Sequence, residues 1–136
     1  MSQDKNMYEL FAKRADDFAT KADALNPDNS EIHVLKSMIS GLFIRINPMV
    51  NGQKYGPVAS MQLEKAKRLD PENPRAYMQE GATLLFTPPQ WGGDKVKAKV
   101  TLETAAAKYE AFKPASSIHP NWGKTANEMF IEMANK

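Results

Sequence analysis

The sequence contains no cysteine, which excludes disulfides and any Cys-ligated zinc or iron–sulfur site. Histidine is nearly as scarce, and neither His33 nor His119 has a second His or Cys beside it at metal-ligating spacing. Long apolar runs are missing too. The longest, around Met38 to Ile46, is broken by Ser40, Gly41 and Arg45, far short of the roughly 20 residues a bilayer span needs, so membrane insertion is not expected. Nor does one sign of charge prevail: the net is +2, with 10 basic and 9 acidic groups up to residue 70 and 8 and 7 after it. That evenness speaks against a nucleic-acid partner. Met1 to Asn6 is polar and precedes an amphipathic stretch rather than a secretory core, implying a cytoplasmic chain or one whose leader has been removed. With 136 residues, 42% of them hydrophobic, the chain suffices for one globular domain over 1–136 with its own core.

Apolar spacing predicts helices almost throughout. Phe11, Ala15, Phe18, Ala22 and Leu25 step by four and three, as do Ile32, Leu35, Ile39, Leu42 and Ile46, and again Ala98, Leu102, Ala105, Tyr109 and Phe112. Period-two alternation is lacking, so no sheet is expected. The punctuation is regular. Leu25-Asn26-Pro27-Asp28-Asn29 and Leu69-Asp70-Pro71-Glu72-Asn73 each stop one helix and offer Asn29 (or Ser30) and Asn73 as caps for the next. Pro88 and Pro89 end a fourth helix, Asp94 can cap a fifth, and Pro114 and Pro120 bracket a loop before a sixth.

The two turns lie 44 residues apart, and Lys21-Ala22, Leu25, Pro27 and Asn29 recur as Lys65-Ala66, Leu69, Pro71 and Asn73, an internal repeat. Tyr77, Gly81 and Leu84 follow the aromatic, small, large-apolar trio of a first helix, as do Trp122, Ala126 and Met129. Ala59, Leu63, Ala66 and Pro71 follow the second-helix set, repeated by Ala98, Leu102 and Ala105. On these residues the chain resembles the tetratricopeptide repeat (TPR) family. The resemblance implies an all-α superhelix of about six antiparallel helices in three hairpins, incomplete at one or both ends. His33, Ser37 and Ser40 depart from the trio. Measured against the family's 34-residue unit, ten residues are extra around Asn47 to Pro57 and five around Thr87 to Asp94.

By that resemblance, first helices line a concave groove for a peptide or partner helix, here Val34, Met38, Arg75, Met78 and Ala82. The two insertions, each with an aromatic, glycines, proline and lysine, are expected as loops on one edge. Tyr55, Trp91 and Lys95 would form that edge, unless the aromatics fold back to plug helix ends. The function implied is a non-catalytic protein–protein interaction module. Two alternatives are self-assembly through open ends, giving a homo-oligomer, and a small-ligand or anion site under the Tyr55 and Trp91 loops. No catalytic residue, metal site or cofactor is expected. Glu128 and Glu132 share an exposed helix face, Ser116 and Ser117 lack a nucleophile elbow, and Gly92-Gly93 is a turn rather than a phosphate loop. The tryptophan-glycine loop is similar to that of exported bacterial TPR-like proteins of unassigned function, which makes the periplasm an alternative to the cytoplasm.

Overall fold

The computed structural model describes residues 2–136, with side chains from Asp4 onward. It is all-α: no strand occurs among the described residues. The helices are α1 (Ser2–Leu25), α2 (Ser30–Ile46), α3 (Pro48–Leu69), α4 (Pro74–Phe86), α5 (Lys95–Ala111) and α6 (Lys124–Asn135), with a short 3₁₀ turn at Pro89–Trp91. They fall into two compact units, residues 1–69 and 70–136. Helix pairing within them is α2 with α3 and α4 with α5; α1 flanks the first pair and α6 the second.

The caps form as the sequence implies. Asn29 accepts from the Glu31 amide at 2.9 Å and Asn73 from the Arg75 amide at 3.0 Å, while Asp94 accepts from the Lys97 amide at 2.9 Å. Each satisfies a donor the first turn cannot pair internally. Pro74 sits inside the first turn of α4, where its missing N–H costs nothing.

In the first unit, Ala59, Leu63 and Ala66 of α3 are buried, as are Val34 and Ile39 of α2. The polar residues that break the family trio also point inward: His33 and Ser37 are each 1% exposed. His33 is pinned from several sides, with Nδ1 2.6 Å from Gln62 Oε1 of α3, and Nε2 3.3 Å from the Pro27 carbonyl and 3.4 Å from Asp23 Oδ1 of α1. Lys36 donates to Asp23 Oδ2 at 2.6 Å, and that bond holds the Asp23 carboxyl below its ordinary value.

In the second unit, Ala98, Leu102 and Ala105 of α5 are fully buried. A β-carbon at Gly81 of α4 would stand 2.6 Å from the Leu102 side chain, so the small residue permits close approach of the two helices. Met78, Ala105 and Tyr109 form a core cluster joined by Tyr77, Ala126 and Phe130. Asn127 of α6, 1% exposed, donates to the Leu102 carbonyl at 2.9 Å.

Two expectations are corrected. The residues around Asn47 to Pro57 are not a loop: only Asn47 separates α2 from α3, and Pro57 lies inside α3. Tertiary contacts override the breakers there. Asn51 donates to the Phe43 carbonyl at 2.7 Å, and Tyr55 stacks on Phe43 with centroids 4.8 Å apart. The stripe Phe11, Phe18 and Leu25 is not core either, being 54%, 70% and 88% exposed, because α1 buries Ala12 and Ala19 instead.

Candidate functional site

The residues expected to line a groove are core. Val34 and Arg75 are 0% exposed, Met78 3% and Ala82 8%; only Met38 keeps partial exposure. In the second unit the reason is visible. Arg75 lies under the Phe112 ring, with its guanidinium carbon 4.6 Å from the centroid, and 5.8 Å from the Trp122 ring, and it donates to the Trp122 carbonyl at 3.2 Å. The Tyr109 hydroxyl donates to Met78 Sδ at 3.5 Å. Phe112 and Trp122 thus cover the Arg75 side chain that a groove wall would need open.

The loop edge also divides. Tyr55 is a half-buried helix residue packed on Phe43, with Lys54 Nζ 5.0 Å from its ring, so as a loop residue it is corrected, and helix packing takes the place of a lip. Trp91 behaves oppositely. It sits on a real turn and is 58% exposed, so it plugs no helix end.

That turn is built stiffly. The Trp91 and Gly93 amides both donate to the Pro88 carbonyl, at 2.9 and 3.1 Å, the Gly92 amide donates to Pro89 at 3.1 Å, and Asp94 donates back to Leu84 of α4 at 3.0 Å. Gly92 has φ +98°, a conformation glycine adopts without penalty. A β-carbon at Gly93 would overlap the Thr87 carbonyl, so the chain passes too close for any side chain. The indole is therefore presented by backbone with little freedom.

Directly after the turn, α5 opens with exposed Lys95, Val96 and Lys97, and Val100 follows one turn after Val96 on the same face. Val96 is 78% and Val100 60% exposed. Helical spacing alone singles out the inward stripe of Ala98, Leu102 and Ala105 and passes over these valines. The available signal was that α5 is apolar on two opposite faces. Chemically, the ensemble offers an aromatic plane, aliphatic surface and exposed cations, the composition of a binding surface. Among the described residues, no group of three His, Cys, Asp or Glu is placed to hold a metal ion. His33 is enclosed, whereas His119 lies partly exposed with its ring 5.9 Å from that of Phe112.

Neither a protein-family model nor a curated protein matches this sequence. Among solved structures, the chain is similar to the HusA haemophore from Porphyromonas gingivalis, with 32% identity and a TM-score of 0.85 over 97% of this chain. It spans 66% of the length of that haemophore chain.

Proposed function

We propose that this chain is a non-enzymatic binding protein whose ligand is haem or a closely related porphyrin, held against the Trp91 turn and the outward face of α5. The observation that carries the reading is the 32% identity, across 97% of the chain, to a protein named as a haemophore. A porphyrin of the haem type presents broad apolar faces and a carboxylate edge. Exposed Trp91, Val96 and Val100 suit the faces, and Lys95 and Lys97 suit the carboxylates. Of the five residues a peptide groove would need open, only Met38 keeps partial exposure, whereas Trp91 is exposed.

Titrating the full chain with haemin, and in parallel with iron-free protoporphyrin, tests this. The expected result is a saturable shift of the Soret band with quenching of tryptophan emission, weakened about tenfold or more in Trp91→Ala, the scale of ~1.4 kcal/mol of lost stacking and apolar contact. Absence of saturable binding by either compound overturns the proposal. Binding undiminished in Trp91→Ala moves the ligand off this surface.

A further inference from the structure

Charge is unevenly placed along α5. Lys99 is paired with Glu103 at 4.0 Å, Lys108 with Glu72 at 3.1 Å and Glu110 with Lys124 at 2.7 Å. Lys95 and Lys97, both exposed, enter no ion pair among the described residues. The carboxylate next to them, Asp94, is occupied in accepting from the Lys97 amide at 2.9 Å. Surplus positive charge on this helix is thus confined to its first turn. That is where it is least favourable, because the aligned peptide dipoles already make a helix start positive. The two lysines weaken the helix, and no ion pair among the described residues offsets that.

Their positions follow from helix geometry. Successive residues stand about 100° apart around an α-helix, so Lys95 and Lys97 flank Val96 on its two sides, and Val100 follows one turn further on the same face. Glu103, exposed and seven residues past Val96, returns to that face about 10 Å along the axis. From the Trp91 turn onward, the face runs from two cations astride a valine, to a second valine, to a carboxylate.

We infer, resting on the porphyrin reading above, that this face selects a tetrapyrrole whose carboxylates sit together on one edge, and holds that edge over the first turn of α5 with one lysine to each carboxylate. Haem-type porphyrins carry two carboxylates on neighbouring pyrroles. A forked pair of cations matches that pair of anions while the apolar ring lies over Val96 and Val100. The reverse orientation fails, since it brings the carboxylates to Glu103 and leaves Lys95 and Lys97 beside hydrocarbon. Carboxylates around the whole rim gain nothing for the same reason: those on the far edge meet Glu103, whose pair with Lys99 is long and exposed and so a weak one. The lysines therefore decide which porphyrin is taken and how it lies, and the apolar residues supply contact common to all.

Three iron-free ligands separate these contributions: protoporphyrin; its dimethyl ester, which keeps the ring and loses the charge; and coproporphyrin, with one carboxylate on each pyrrole. Each is titrated into the full chain in the same dilute non-ionic detergent, and into Lys95→Gln, Lys97→Gln and the double variant. Lys113→Gln, beyond the far end of α5, is the control. The ratio of protoporphyrin to ester affinity is compared between chains, so that partition into detergent cancels. It is expected to fall about fivefold to tenfold in the double variant, the scale of two exposed ion pairs, and to stay unchanged in Lys113→Gln. On the unaltered chain, added salt should weaken protoporphyrin binding and leave the ester unaffected, and coproporphyrin should bind no more tightly than protoporphyrin despite its doubled charge. The double variant should keep its helicity and melt no lower than the parent, since a helix start is relieved of two cations. A ratio unmoved by the double variant, or coproporphyrin binding more tightly than protoporphyrin, would overturn the inference and leave the porphyrin reading standing. Saturable binding of none of the three would overturn the porphyrin reading itself.

Discussion

Gly123 and Tyr109 adjoin so closely that a β-carbon on Gly123 would overlap the Tyr109 hydroxyl, and Met78 Sδ would lie 3.1 Å from the same point. Gly123 also has φ +104° at the residue before α6. Two separate penalties therefore attach to Gly123→Ala: a backbone conformation alanine disfavours and a collision in a buried cluster. The expected cost is about 2–4 kcal/mol in denaturant unfolding. Tyr109→Phe removes the colliding oxygen, so the double variant should lose less than the sum of the singles. Strict additivity would show that the backbone penalty acts alone.

The two aromatics once expected on one edge should respond differently to truncation. Tyr55 stacks on Phe43 at 4.8 Å with an interplanar angle of 13°, so Tyr55→Ala is expected to cost about 1–3 kcal/mol through lost packing between α2 and α3. Trp91, at 58% exposure, should change stability by no more than about 0.5 kcal/mol on truncation to alanine. Thermal melts of the two variants check this directly. Equal destabilisation would mean that the indole covers more than its exposure indicates.

These two residues also mark where the sequence was readable. Helix existence, the caps at Asn29, Asn73 and Asp94, and the inward stripe of Ala98, Leu102 and Ala105 follow from periodicity and local chemistry, which act within a few residues. The run from Asn51 to Pro57 has the glycines and proline of a loop, yet it is helical because Phe43 offers a ring to Tyr55 and a carbonyl to Asn51. Neither partner is visible from local composition. Arg75 failed for a similar reason: a family pattern puts it on a groove wall, and only the fold shows Phe112 and Trp122 covering it. The turn that carries Trp91 is legible because it is made by neighbours in sequence, Pro88 to Asp94.

Acid should weaken the first unit through Asp23. Its carboxyl titrates below its ordinary value because Lys36 donates to it, with the charges of Lys36, His33 and Lys65 adding to the effect. A carboxylate depressed in the folded state contributes stability that is present above its unfolded pKa of about 3.9 and is lost as pH falls through the lower folded value. Asp23→Asn should therefore be less stable than the parent protein at pH 6, with the gap closing below about pH 4. A stability difference constant from pH 7 to pH 2.5 would show that Asp23 acts by shape and hydrogen bonding instead of charge.

The 44-residue repeat makes a matched test possible at its two corners. Asn29 and Asn73 occupy equivalent positions in sequence and make the same bond, each side chain accepting from the amide two residues on, at 2.9 and 3.0 Å. If the corners were alike in every respect, alanine at either would cost the usual ~1 kcal/mol of a lost cap. Their burial differs: Asn29 is partly exposed, whereas Asn73 is 1% exposed. Water can replace the lost acceptor at the first corner but reaches the second poorly, and an unsatisfied buried donor costs about 1–3 kcal/mol. Asn73→Ala is accordingly expected to destabilise by more than Asn29→Ala, while Asn29→Asp, which keeps the acceptor in contact with water, should recover most of the loss and Asn73→Asp, which buries a carboxylate, should not. Urea unfolding of the four variants checks the order. Equal losses at the two corners would indicate that the amide of Arg75 finds solvent as readily as that of Glu31.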